Sequence, residues 1–339
     1  MKKFICTVLS VLLLCAMAAA NGKSDGDSDT ASDNQKITLK WASVHPPIHP
    51  ASQMMARIAE EISEKTNGRI EIKCFPGSQL GGSKDLIRAV QKGDIDMVSE
   101  GAANFGQYVP SATIAEAPYI WRSIGHLESA LNGAFGQKIN EALVGESGMR
   151  MLGAMYYGTR HLSTSTKAIH SVADCAGMNI RVPENDLFVA MAHAWGSNSK
   201  PITFSELYLA LQYNIVDGQE NPLPTDKNAK FYEVTKSITL TNHVVDSVWP
   251  AINEKKWQSL TKEQQGWIME GVKAGIEFCD KTNRAAEAEL IDFFKSEGLK
   301  VYEADLNTFS TEVLGKYLAS DYAKSWDRDL FDKVQAAGN

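Results

Sequence analysis

Residues 261–295 read as one very long helix, and no other feature restricts the fold of this chain so strongly. Thr261 and Gln264 have the spacing of a capping box, in which a hydroxyl and a side-chain amide satisfy the first free backbone N–H groups reciprocally. At 1.5 Å per residue such a helix spans roughly 50 Å, more than a small domain is wide. A rod of this length crosses two packed units, so the rest of the chain has to supply both.

The rest alternates strand and helix patterns. Residues 36–43 alternate apolar and polar side chains as a strand does, and the prolines between His45 and Pro50 make the following segment a loop at the strand's end. Met55, Ile58, Ala59 and Ile62 recur at helical spacing across 51–65, Asn67-Gly68 closes that helix, and a strand follows over 69–75. Gly81-Gly82-Ser83 opens a second helix through Gln91, Gly93 ends it, and a short strand lies at 95–98. A long helix is expected at 126–143 and a strand at 149–157, leading straight to Gly158-Thr159-Arg160. The pattern then begins again: a strand at 178–182, helices at 186–194 and 204–212, extended chain at 216–220 and a strand at 244–252. This is the α/β class, with a mostly parallel sheet flanked by helices. The expected division is residues 36–157 plus 247–286 for lobe I and 158–246 plus 287–339 for lobe II, with a cleft between them and a bridging helix at 262–295.

Compartment and partners follow from the ends and the charge. Lys2 and Lys3, the apolar run from Phe4 to Met17 and the alanines at 18–20 form the pattern of a secretory signal peptide. Cys15 inside it is a candidate lipidation site, and residues 21–35, rich in Ser, Asp, Gly and Asn, have the composition of a flexible tether. An exported protein is therefore expected. With 44% hydrophobic residues the remainder can bury a core, and a formal net charge of -7 gives no reason to expect nucleic acid or an anionic membrane as partner. An anionic ligand would need a local cluster of positive charge. Cys74, Cys175 and Cys279 are far apart with no zinc spacing and read as small buried hydrophobes.

Signatures of cofactor and metal chemistry do not fit. Gly81-Gly82-Ser83-Lys84 lacks the upstream glycine of a phosphate loop, and the prolines between His45 and His49 forbid the helix that would bring both imidazoles to one metal. Asp217, Glu220 and Asn221 lack the regular oxygen spacing of a calcium loop. No cofactor and no metal is expected. Arg181 is different: Ile180 and Val182 flank it in a strand ending at Pro183, so its guanidinium points to the face opposite its apolar neighbours.

Four phrases in order, Gly158-Thr159-Arg160, Gly177 to Pro183, Phe204 to Gln212 and Val216 to Pro222, resemble the DctP-type periplasmic substrate-binding proteins of tripartite ATP-independent periplasmic (TRAP) transporters. The likeness covers nearly all of the chain from Ile37 onward. It implies a two-lobed periplasmic-binding-protein fold with hinge strands, no enzymatic role, and a monomer that hands an organic acid to a small and a large membrane subunit. By resemblance Arg181 pairs with the ligand carboxylate, Arg160 is a second contact, Asn221 adds an amide hydrogen bond and Phe204 packs on the ligand. His45, Glu100, Asn104 and Trp249 are secondary candidates, Trp249 by stacking on a sugar ring. The central phrases look most like members that bind sialic acid and other acidic sugars. After the third strand, however, this chain has Gly101 and Asn104, with Glu100 adjacent, where sialate binders have a glutamate and an arginine. A uronate-type sugar acid is the favoured ligand, with sialate or a C4-dicarboxylate as alternatives. A secreted hydrolase acting on acidic sugars through a pair drawn from Glu100, Glu184 and Glu220 is the rival of another class.

Overall fold

The long helix runs from Lys262 to Ser296. Its capping box is formed: Gln264 N–H donates to Thr261 Oγ1 at 3.2 Å and Thr261 N–H to Gln264 Oε1 at 2.9 Å. The computed structural model describes residues 36–337; the expected signal peptide, tether and Cys15 lie outside that range. Against the rod packs the Pro50–Lys65 helix, whose Met54, Met55, Ile58 and Ile62 meet Ile268, Val272 and Cys279 in one apolar core.

Ten strands form the sheet: β1 Ile37–Ala42, β2 Ile70–Phe75, β3 Met97–Gly101, β4 Met149–Met151, β5 Met155–Thr164, β6 Asn179–Val182, β7 Asn198–Pro201, β8 Gly218–Pro222, β9 Ser237–Asn253 and β10 Lys300–Glu303. Their order is β2-β1-β3-β9-β5-β8-β6-β7, with β4 and β10 also paired to β9. The sheet is mixed rather than mostly parallel. Pairs β1-β2, β1-β3, β6-β7, β6-β8 and β9-β10 are parallel, while β9 runs antiparallel to β3, β4 and β5, and β5 antiparallel to β8. The reason lies in β5 and β9. Each crosses from one half of the sheet to the other, β5 outward and β9 back, so they must run in opposite directions. Through Val248 to Ile252 β9 pairs β3, and through Ser237 to Thr239 and Val244 to Val248 it pairs β5.

Three elements differ from expectation. The helix at 126–143 is two, Ile124–Leu131 and Ala134–Ala142, because the chain turns at Asn132-Gly133. The strand at 149–157 is broken between Met151 and Met155, where Gly153 lies under the rod: a Cβ there would stand 2.5 Å from Ile276 Cδ1. Finally, β5 continues well past Tyr157, so Arg160 sits inside a strand instead of just beyond one.

The rod grips β5 at the crossing. Tyr156 N–H donates to Asp280 Oδ1 at 2.6 Å, Asn283 Nδ2 donates to Tyr156 O at 2.8 Å, and Thr159 N–H donates to Glu287 Oε1 at 2.6 Å. Between these anchors the β5–β9 register shifts and Gly158 adopts φ +132. A Cβ on Gly158 would lie 2.5 Å from Pro222 Cβ and 3.1 Å from Glu287 Oε1. Gly158→Ala is therefore expected to cost about 1–3 kcal/mol from strain and overpacking, read as a lower urea midpoint; an unchanged midpoint would show that the crossing yields freely.

Candidate functional site

Each element brings one or two polar side chains to the same place. The alternation of β5 turns Arg160 inward, β6 presents Arg181 at its penultimate position, β8 ends with Glu220 and Asn221, and β9 carries His243 and Asp246. From the other half come His45 after β1 and Glu100 at the end of β3. All but His243 and Glu220 line one cavity, with about 660 Å³ of empty space including its opening to solvent.

Arg181 is 2% exposed, and its Nε donates to Ile202 O at 2.9 Å. That bond fixes the plane of the guanidinium. It makes no ion pair with any described carboxylate. Burial, with Arg160 as a second cation, pulls its pKa down to about 10 against the opposing pull of Glu220 and Glu184. It stays charged at neutral pH, and its charge is unpaired.

Arg160 is the contrary case. Nε donates to Glu220 Oε2 at 2.5 Å, Nη2 to Glu220 Oε1 at 2.7 Å and Nη1 to Asp246 Oδ2 at 2.7 Å. Nη2 also lies 3.3 Å from Asn221 Oδ1, and the guanidinium sits 4.8 Å from the Phe188 ring centre. Burial lowers its pKa, but Glu220 and Asp246 outweigh that and hold it well above the ordinary value. Glu220 also bonds His243 Nε2 at 3.0 Å, and although burial raises its pKa, Arg160 and His243 bring it below the usual carboxylate range. Arg160 thus reaches the cavity already neutralised by its own neighbours.

Asn221 and Phe204 both line the cavity, and Asn221 Nδ2 donates to Gln219 Oε1 at 2.6 Å. His45 lies on the opposite side, bonded through Nδ1 to Ser43 Oγ at 2.8 Å, stacked on His49 at 4.8 Å and tilted against Phe204 at 6.1 Å. Burial, aided by Arg160, depresses its pKa to about 3, so it offers a neutral imidazole. Asn104 Nδ2 donates to Glu100 Oε2 at 2.9 Å, and Asn185 Nδ2 approaches Asn104 Oδ1 at 3.4 Å. Glu100 Oε1 has no partner among the described residues; burial raises this carboxyl to about 7, with Ser83 and Asn104 opposing.

Trp249 corrects an expectation. It is fully buried, its Nε1 donates to Ser247 Oγ at 3.0 Å and its ring stacks on Phe105 at 5.7 Å, so it does not line the cavity. Its neighbour Val248 takes the cavity face, and alternation along β9 sends Trp249 into the core. Several lining residues were missed by sequence reasoning: Tyr157, Asp246, Phe188 and Glu116. Tyr157 had a signal, since it directly precedes Gly158-Thr159-Arg160. Asp246 and Glu116 had none, because nothing local marks which acids on a buried strand or a short turn will face an arginine from elsewhere.

The family model for bacterial extracellular solute-binding protein, family 7 (DctP), matches residues 41–324. Among curated proteins, a sialic acid-binding periplasmic protein of Vibrio cholerae is 36% identical over 280 residues, covering 83% of this chain and 86% of that protein. A TRAP periplasmic solute-binding protein of Roseobacter denitrificans, solved with bound 3-deoxy-D-manno-oct-2-ulosonic acid, superposes with a TM-score of 0.84 at 32% identity, covering 89% of this chain and 99% of that one. Another, from Sulfitobacter sp. NAS-14.1 with bound β-D-galacturonate, gives 0.82 at 30% identity, covering 88% of this chain and 100% of its own.

Proposed function

Since this chain belongs to the DctP family of bacterial extracellular solute-binding proteins, we propose that it is the receptor of a TRAP transporter and that its ligand is a sugar acid of the uronate type. The observation that carries the reading is Arg181: a buried cation, aimed by a backbone carbonyl, that lines the cavity without an ion-pair partner among the described residues. A planar guanidinium offers parallel donors that match a carboxylate, and the charge-assisted pair is stronger than a neutral one. Arg160, held by Glu220 and Asp246, would contribute a fixed floor and orient Asn221, with its remaining Nη1 proton available to the acid. Phe204 and Tyr157 would cover an apolar face of the ligand.

The opposite wall argues for hydroxyls rather than a second carboxylate. Glu100 lines it with an unpartnered oxygen, and an anion placed beside it would meet like charge or force a proton onto the pair. Similar proteins bind sialic acid, an octulosonic acid and galacturonate. The hydrolase reading fares less well, because Glu220, one of its carboxylates, is already committed to Arg160 and His243.

In this reading residues 36–157 plus 247–286 form one lobe and 158–246 plus 287–339 the other. The ligand bridges them, and closure about β5 and β9 is stabilised by contacts that exist only in the closed form. Residues 1–20 would direct export to the periplasm, and the small and large membrane subunits of the transporter would receive the acid. A thermal-shift panel of D-galacturonate, L-galactonate, N-acetylneuraminate and succinate tests the ligand class. A ligand at 100 times its Kd adds about 2.7 kcal/mol, so uronate and aldonate should raise Tm most. Stabilisation by succinate alone would replace sugar acid with dicarboxylate; no response to any carboxylate would sink the assignment; turnover of a glycoside would favour the enzyme.

A further inference from the structure

Glu116 has no part in that scheme, yet it reaches the cavity. It ends the 3-10 turn Pro110–Glu116 and is 3% exposed. Its carboxyl lies over Gly101, where a Cβ would stand 2.4 Å from Glu116 Oε1, so the glycine after Glu100 is what leaves room for it. The backbone N–H groups of Ala102 and Ala103 favour its charged form, while Oε1 is buried with no hydrogen-bond partner among the described residues. A buried polar atom left without a partner is costly, and the carboxyl that carries it lines the cavity.

The charged and titratable groups around it come from four other elements. Arg160 on β5 faces it but is paired with Glu220 and Asp246. Asp246 on β9 faces it as a second acid, and Tyr317 and Tyr322 face it from the helices Leu314–Leu318 and Asp321–Lys324. Burial first, and then the charge of Asp246, hold Glu116 well above the usual carboxylate range, against Arg160 and the two N–H groups. Of the two acids, Asp246 has the guanidinium contact at 2.7 Å and is the better placed to keep a negative charge.

We propose that Glu116 works as a neutral carboxylic acid whose O–H donates a hydrogen bond to an oxygen of the bound acid. This deepens the carboxylate-receptor reading and rests on it: Arg181 takes the ligand's charge, and Glu116 recognises a second oxygen, a hydroxyl, ring or keto oxygen. The proton stays on Glu116 throughout. Binding is thereby linked to protonation. Affinity is constant below the pKa of the empty protein's Glu116 and falls by up to about tenfold per pH unit above it, until the pKa of the complex is reached.

Two measurements on the full chain test this. Infrared difference spectra of the ligand-free protein at pH 7, wild type minus Glu116→Gln, should show a carboxylic-acid C=O band that only the wild type has. Calorimetry with D-galacturonate between pH 6 and pH 9 should show wild-type affinity falling with pH. Glu116→Gln, which keeps an N–H donor, should bind within about threefold of wild type at pH 6 and lose the pH dependence, whereas Glu116→Ala should bind about tenfold more weakly. Parallel pH profiles for wild type and Glu116→Gln, or no acid band, overturn the proposal. If D-galacturonate does not bind the wild type although the band is present, the uronate reading fails instead, and the same pH series is run with the panel acid that raises Tm most.

Discussion

Replacing Arg181 by Met is expected to abolish measurable ligand binding and, at the same time, to make the empty protein more stable. The two effects have one cause. Arg181 is a buried cation whose side chain makes, among the described residues, one hydrogen bond, from Nε to the Ile202 carbonyl, and no ion pair. In the empty state its desolvation is only partly offset by the more distant Glu220 and Glu184, and the cost, several kcal/mol per buried ion, is one that a methionine of similar volume avoids. In the proposed bound state it would supply two charge-assisted hydrogen bonds of about 1.5–3 kcal/mol each, so their loss is expected to weaken binding at least about a hundredfold. Arg181→Lys keeps the charge but loses the paired geometry, and should weaken binding about ten- to a hundredfold. Calorimetry with D-galacturonate gives the affinities, and urea denaturation without ligand gives the stability. Unchanged affinity in Arg181→Lys would remove Arg181 from the role of carboxylate receptor.

Arg160→Met should do the reverse to stability. Arg160 stands between Glu220 and Asp246, and all these side chains are 6% exposed or less. Removing the cation leaves two buried carboxyls without their counter-charge, for which about 3–5 kcal/mol of destabilisation is expected. The lost contact matters less than the acids left behind. A drop of that size in the urea-derived unfolding free energy at pH 7 is the expected result; a stability equal to wild type would mean that Glu220 and Asp246 take up protons at little cost. The opposite responses of two arginines in one cavity are the sharpest way to separate a residue that waits for a ligand from one that supports the site.

Local periodicity carried much of the architecture. The capping box at Thr261 and the helix it starts were legible because both signals lie within a few residues of each other. The mixed character of the sheet was not, since strand direction at β9 depends on pairings with β3 and β5 more than seventy residues away. The same distinction runs through the cavity. Arg181 was readable from its apolar neighbours in a strand ending at a proline, whereas the partners that neutralise Arg160 sit at positions 220 and 246 and meet it only in the folded chain. Trp249 was misplaced by a single step of strand alternation, which no composition rule fixes without the register.

The bond from Arg181 Nε to the Ile202 carbonyl also bears on how such receptors diverge. Its acceptor is main chain, so mutation can change the side chain at 202 without removing the atom that aims the guanidinium. The far wall has no such protection: His45, Glu100 and Asn104 act through their own side-chain atoms, each open to loss by one codon change. A lineage built this way can exchange one sugar for another while inheriting its demand for an acid intact.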